Sequence, residues 1–254
     1  MSTLFSIAYY TFIENIRNKI FYGLILFGII MMGASLLLSA LGGQESQRIL
    51  LDLGCGAIEF FALLGVCFSA VTLVLEEMES KTIYLILTRP VSRFEYLTGR
   101  YCGLLMAIYA GMAMMGLIHI VLLMLNGWNF QLRYLLALFL SAEKILVIGS
   151  VALFFSIFSS SAISSISFTF FFWILGHFSG EINYLGTKLT MTVAKIAIAF
   201  FYYVIPNMQY FNLRDFWDVP HVVGNWIWLS CAYGLIYSVV IVMLTALVFR
   251  KKEF

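Results

Sequence analysis

Six long apolar segments constrain the fold of this chain more than any other feature of its sequence. They cover residues 20–41, 57–75, 101–125, 134–158, 162–178 and 226–249, and a helix needs about 20 mostly apolar residues to cross a bilayer. The segments are continuously apolar, without the alternation expected of strands in a membrane barrel. We therefore expect an all-α membrane protein with six transmembrane helices, built as a single domain over residues 1–254.

The composition supports the same class of protein. Hydrophobic residues are 62% of the chain and charged residues only 11%, so too few polar side chains are left to cover a water-soluble domain. The lipid bilayer is the expected partner, and a nucleic acid is not. The four cysteines form no C-x-x-C pair, and we predict no metal or cofactor bound by this chain.

The distribution of Lys and Arg predicts the orientation of the helices, because basic residues collect on the cytoplasmic side. With the N-terminus inside, nine basic residues fall on the cytoplasmic side and five on the outer side. We therefore expect a multi-pass protein of the cytoplasmic (inner) membrane with both termini in the cytoplasm. The nine are Arg17, Lys19, Lys81, Arg89, Arg93, Arg100, Arg250, Lys251 and Lys252, and the five are Arg48, Arg133, Lys188, Lys195 and Arg214.

Residues 1–19 are expected to form an elbow helix that lies in the membrane interface. Phe5, Ala8, Phe12 and Ile16 fall on one helical face, the pattern of a helix that buries one side in the headgroup region. Glu14 interrupts the apolar run, so a cleaved signal peptide is not expected.

Residues 179–225 are predicted to be an outer loop that contains an interfacial or re-entrant helix. Residues 187–205 are apolar enough for a seventh span, but Lys188, Thr192 and Lys195 recur at helical spacing and mark a polar face. A seventh span would also move the basic C-terminus to the outer side. The interfacial or re-entrant helix is therefore preferred, and a further span stays open as the alternative.

The polar segment 76–100, EEMESKTIYLILTRPVSRFEYLTGR, lies between two predicted spans. Pro90 disfavours helix at the residue before it, and Ser92 followed by Glu95 is the pattern of a capping box. We therefore predict a short amphipathic helix, a stop at Pro90 and a new helix after Ser92. A short helix at a membrane boundary suits docking into a groove of another protein, and a solvated connector is the alternative.

This segment resembles the first cytoplasmic loop of ABC-2 type permeases. The resemblance is carried by ESKT at 79–82, Leu85, LTRPVSR at 87–93, EY at 95–96 and GR at 99–100. In that family the loop holds a coupling helix that seats on the ATP-hydrolysing subunit. A second stretch, IPN at 205–207 with YFNLRD at 210–215, resembles the branch that includes permeases associated with multicopper enzyme maturation. The coupling residues that the resemblance implies are Glu79, Lys81, Thr82, Leu85, Leu87, Arg89, Pro90, Arg93, Glu95, Tyr96, Gly99 and Arg100.

The resemblance implies an exporter of the ABC-2 (type V exporter-like) class, assembled from several chains. A second copy of this permease, or a paralogous permease, would complete the translocation path, and two ABC ATPase subunits would bind ATP and Mg. This chain has no G-x-x-x-x-G-K-[ST] motif, so it is not expected to be an enzyme. A periplasmic or extracellular accessory protein is a further candidate partner. Copper-enzyme maturation is one role that the branch suggests, and the sequence selects no cargo.

Five ionisable residues in the predicted spans are candidates for the translocation path. Such residues cost about 2.5–3.5 kcal/mol each at the centre of a membrane helix and therefore point to function. Two of them are sequence neighbours that face different directions, so each needs its own partner, and a structural ion pair within the bundle is the alternative. Three others lie at similar depth and would form an outer vestibule if they converged, but no spacing enforces convergence, and lone histidines that meet a lipid headgroup or a neighbouring hydroxyl are the preferred alternative. The neighbours are Glu143 and Lys144, and the three at similar depth are Glu59, His119 and His177.

Two other classes of function are weighed against a transporter. An intramembrane protease of the glutamate type would use a motif such as E-E-x-x-x-R, but the corresponding residues 76–81 end in Lys. The histidine motifs expected on later helices are also absent, because Trp173 occupies the position four residues before His177 where such a motif has Phe. That hypothesis is therefore the least favoured. A membrane anchor subunit that transports nothing meets no such contradiction and stays open beside the permease.

Overall fold

The computed structural model describes residues 3–79, 92–159, 161–189, 191–213 and 225–251, with the side chains of 72–79 left out. These residues form helices and their connections, with no strand. The prediction of an all-α protein is therefore confirmed for the described part of the chain.

The described residues contain nine α-helices. They are α1 Thr3–Arg17, α2 Lys19–Leu41, α3 Ser46–Glu79, α4 Arg93–Leu125, α5 Leu132–Phe158, α6 Ala162–His177, α7 Ser179–Lys188, α8 Thr192–Val204 and α9 Asn225–Lys251, with short 3-10 helices at Gly43–Glu45 and Met208–Phe211.

Five of these helices, α2, α3, α4, α5 and α9, are long and apolar enough to cross a membrane. The predicted fifth span, residues 162–178, differs from expectation because α6 has only 16 residues. It meets α7 at a bend of 66°, and the pair is either one broken span or a re-entrant loop. The described residues thus contain five helices able to cross a membrane, or six if α6 and α7 form one span. α8 has 13 residues and, at 1.5 Å per residue, is too short to cross a bilayer by itself.

The core of the bundle is built around α5, which packs against α3, α6 and α9. Ile145 and Ile148 of α5 are fully buried, as are Ile58, Leu63 and Val66 of α3. α2 and α9 instead leave most of their apolar side chains exposed, as expected for helices that face lipid. The polar side chains carried by α3 and α5 are consequently held inside a close-packed apolar environment.

The N-terminal helix α1 forms as predicted and packs along the first turns of α4. The face that packs on α4 includes the fully buried Thr11, whereas Phe5, on the apolar face predicted to lie in the membrane interface, is 48% exposed. The cause is a close approach of the two helices at Gly103, where a Cβ would overlap the carbonyl oxygen of Ala8. Only small side chains fit between backbones so close together, and the aromatic ring of Phe5 therefore points away from α4.

Candidate functional site

A buried ion pair joins α3 to α5. The Lys144 ammonium lies 2.9 Å from Oε1 of Glu59, and the two side chains are 1% and 3% exposed. Ser141, one turn before Lys144, places its hydroxyl 3.3 Å from Oε2 of Glu59 as a donor. Each charge would be costly alone at this depth, and the pairing with added hydrogen bonds offsets that cost.

His177, the last residue of α6, completes this group. Its Nδ1 lies 2.9 Å from the carbonyl oxygen of Trp173, and because a carbonyl can only accept, Nδ1 carries the hydrogen of the neutral ring. Nε2 is then an acceptor for the Lys144 ammonium at 3.4 Å, and it lies 3.7 Å from Oε1 of Glu59. We call Glu59, Ser141, Lys144 and His177 the buried charge cluster.

The cluster lies at the break between α6 and α7, which is held by the segment after α8. Gln209 donates from Nε2 to the carbonyl of His177 at 2.9 Å, and the Ser179 hydroxyl donates to Asn207 Oδ1 at 2.7 Å. Backbone groups freed by a break inside a membrane need such partners. The break is therefore an ordered feature that presents His177 to the ion pair.

Of the five residues predicted for the translocation path, the structure brings together Glu59, Lys144 and His177. His119 lies apart from them. Its Nδ1 is 2.8 Å from the Tyr134 hydroxyl and its Nε2 is 3.3 Å from the carbonyl of Leu50. Leu50 precedes Glu59 by nine residues on α3, about 13 Å along a helix. His119 therefore does not converge with Glu59 and His177 and instead meets a neighbouring hydroxyl, the preferred alternative, because its ring is packed against α3 where Gly54 leaves room.

Glu143 faces a different direction from Lys144, as predicted for neighbours on a helix. Its Oε2 would lie 3.0 Å from a Cβ at Gly234 of α9, close to the Phe211 ring. This oxygen is buried and has no hydrogen-bond partner among the described residues. Within the described part of the chain, the Lys144 ammonium is thus paired with a carboxylate, whereas Oε2 of Glu143 has no hydrogen-bond partner.

A second polar group lies where α4 begins and α9 ends. The predicted capping box is confirmed, because the Ser92 hydroxyl accepts from the Glu95 amide while the Glu95 carboxylate accepts from the Ser92 amide. Arg93 then donates from Nη1 to the carbonyls of Phe249 and Arg250 at 2.9 and 3.1 Å. A cation at the last carbonyls of a helix is favourable because those groups are otherwise unsatisfied.

About two turns further along α4, Arg100 holds α1 through side-chain contacts. Arg100 donates from Nη1 to the Glu14 carboxylate at 2.6 Å and to the Thr11 hydroxyl at 3.2 Å. Its guanidinium lies over the ring of Tyr96, and that ring stacks on Phe249 of α9. The base of α4 is consequently tied to both the first and the last helix.

The predicted coupling residues divide between these contacts and a part of the chain that the structure does not describe. Glu79 is the last residue of α3, and Arg93, Glu95, Tyr96, Gly99 and Arg100 form the base of α4. No sequence pattern indicated the partners Glu14 and Phe249, because neither lies near α4 along the chain. Outside the described residues lie Lys81, Thr82, Leu85, Leu87, Arg89 and Pro90.

Two comparisons with known proteins identify no relative of this chain. A scan of protein-family models finds no match to the chain, and a search of curated proteins finds none either. Within the residues that the structure describes, no group of three or more His, Cys, Asp or Glu side chains is arranged to hold a metal ion.

Proposed function

We propose that this chain is the permease subunit of an ABC-2 type exporter in a cytoplasmic membrane, driven by separate ATPase subunits. The observation that carries the proposal is the position of the buried charge cluster on α3. This helix runs without a break from Ser46 to Glu79, where the segment resembling a coupling loop begins. Glu59 is 20 residues before Glu79, about 30 Å along the helix.

An unbroken helix of this length transmits a displacement at one end to the other. ATP binding would close two partner ATPases, and the loop helix within residues 79–89 would pass that movement to α3 and α4. A shift of α3 relative to α5 changes the separation of Glu59 and Lys144, which cannot be left apart in an apolar interior without a large cost. The cluster therefore favours two discrete positions of α3 relative to α5 and disfavours the positions between them.

His177 gives the Lys144 ammonium a second acceptor when Glu59 moves away. Because His177 ends α6 at the bend, an exchange of partners would also shift the position of α6 and α7. Two copies of this chain, or this chain and a paralogous permease, would enclose the path, with both termini in the cytoplasm. In the proposed transporter, α1 lies in the membrane interface, and α7 and α8 form the outer interfacial or re-entrant element.

The proposal is tested by replacing Leu85, which should fill the groove of the ATPase. The tagged chain and its Leu85→Asp variant are purified in mild detergent from the native membrane, and the co-purifying ATPase is measured. The matched control is Leu185→Asp, the same change at a leucine of α7 that is 55% exposed. We expect an ATPase with the wild-type chain and with Leu185→Asp, and its loss with Leu85→Asp.

Two other results would contradict the proposal in different ways. If no ATPase accompanies the wild-type chain, the chain is not a permease of this class. If the ATPase accompanies all three proteins equally, the coupling role of the segment is wrong. A subunit that only anchors its ATPase is recognised by an ATPase activity that stays unchanged when Lys144 is replaced.

A further inference from the structure

A groove lies between the start of α4 and the end of α9. It has a volume of about 780 Å³ and is lined by Arg93, Phe94, Met243, Ala246, Leu247 and Arg250. It lies outside the buried charge cluster, and no step of the transport model uses it.

The α9 wall of the groove is apolar over two turns and ends in a cation. Met243, Ala246, Leu247 and Arg250 are spaced so that they fall on one face of the helix. From Met243 to Arg250 the face extends about 10 Å along the helix axis. Met243 and Leu247 are 53% and 57% exposed, and Phe94 on the α4 wall is 48% exposed.

The charged end of the groove is positive. Arg250 is exposed, and Arg93 reaches the same place while its Nη1 holds the last carbonyls of α9. None of the six residues that line the groove is acidic. Among the described residues of the α4 wall, the Glu95 carboxylate is bound to Ser92 in the capping box.

The groove also lies at the depth where a membrane meets water. α9 is apolar enough to cross a bilayer, and Arg250 is in its last turn. An exposed apolar face that ends in two arginines at this depth is complementary to an amphiphile whose head carries negative charge.

We propose that this groove binds an anionic phospholipid, with its phosphate at Arg250 and Arg93 and an acyl chain along Met243, Ala246 and Leu247. A zwitterionic lipid is a poorer ligand, because its head brings a cation close to both arginines. The site would tie the lipid to the contact between α4 and α9, and it is independent of whether the chain exports a substrate.

The test measures lipid bound to the purified full chain by native mass spectrometry in a neutral detergent. Phosphatidylglycerol and phosphatidylcholine with the same acyl chains are compared as probes. Arg250→Gln removes the head contact, and Lys251→Gln is its control because Lys251 is also exposed at the end of α9 but does not line the groove. Leu247→Gln tests the acyl contact, with Leu244→Gln as control at a residue that is 44% exposed outside the groove.

We expect Arg250→Gln to weaken the binding of phosphatidylglycerol about fivefold, the effect of one basic residue at an anionic membrane surface. Lys251→Gln should have a clearly smaller effect, and Leu247→Gln should weaken binding more than Leu244→Gln. Equal effects of Arg250→Gln and Lys251→Gln, or no preference of the wild-type chain for phosphatidylglycerol, would overturn the proposal. Displacement of the lipid by soluble glycerol phosphate at equal concentration would also overturn it, since the site would then bind phosphate alone.

Discussion

Lys144 and Glu59 form an ion pair of 2.9 Å between α5 and α3, with both side chains almost completely buried. The two residues are 85 positions apart in the sequence, so the pair fixes how two core helices meet. A buried ion pair gives little net stability by itself, but the loss of one partner leaves the other charge in an apolar interior.

Replacing Lys144 with Met should therefore destabilise the protein by about 3–5 kcal/mol. Stability is measured by titrating the purified protein with SDS. Adding Glu59→Gln to the same chain should recover most of the loss, because no unpaired charge then remains. The control Lys251→Met, at an exposed position, should reduce the stability by less than about 1 kcal/mol. If Lys144→Met reduces the stability by no more than Lys251→Met does, the ion pair is not buried in the folded protein.

Glu143, the neighbour of Lys144, should respond in the opposite way. Its buried Oε2 has no hydrogen-bond partner among the described residues, so Glu143→Gln removes a charge without leaving another one unpaired. We expect stability in the same titration to be unchanged within about 1 kcal/mol or to increase. The matched variant Glu59→Gln should be clearly destabilising, since it leaves the Lys144 charge without its carboxylate. Equal losses at the two sites would mean that Glu143 has a partner of its own.

The capping box at the start of α4 gives a local prediction. Ser92→Ala removes the hydroxyl that accepts from the Glu95 amide at 3.1 Å and should cost about 1 kcal/mol. Hydrogen exchange should become faster at the amides of Glu95 and Tyr96 and stay unchanged in the middle of α4. Ser92→Asp, which keeps an acceptor at this position, should retain slow exchange. Fast exchange in both variants would point to a cause other than the cap.

The contact between α1 and α4 can be tested with two glycines. A Cβ at Gly103 would overlap Ala8 and Thr11, whereas a Cβ at Gly33 has no atom within 4 Å. Gly103→Ala should destabilise the protein by about 1–3 kcal/mol and increase the proteolysis of α1. Gly33→Ala should be neutral or stabilise α2 by up to about 1 kcal/mol, because alanine is the better helix former. A neutral Gly103→Ala would show that α1 is not held closely against α4.

The sequence predicts the features that depend only on residues close together along the chain. Apolar length identifies α2, α3, α4, α5 and α9, and the capping box is visible because its residues are three positions apart. Hydropathy places helix ends less well. α3 begins at Ser46, 11 positions before the predicted span, since its first turns carry polar residues such as Arg48 and Asp52. These two residues form an i, i+4 ion pair and keep the helix regular where apolar length no longer marks it.

Contacts between distant segments are the part that could not be predicted. Adjacent positions on a helix differ by about 100°, so the different directions of Glu143 and Lys144 followed from the sequence. The sequence does not show which helix each of the two side chains meets. His119, Glu59 and His177 looked alike by depth, but only the packing of α3, α4 and α5 determines that His119 hydrogen-bonds to Tyr134 instead of meeting the other two.

The 66° bend between α6 and α7 has a consequence for how the protein is made. α6 is about 24 Å long, shorter than the hydrocarbon core of about 30 Å. The side chains that hydrogen-bond around its end are Asn207, which accepts from the Ser179 hydroxyl, and Gln209, which donates to the His177 carbonyl, and they are synthesised 28 and 32 residues after these partners. A newly made α6 is thus a poor substrate for insertion into lipid on its own. We expect the insertion machinery to retain it until residues 207–209 have emerged, which makes this end of the bundle a late product of biogenesis.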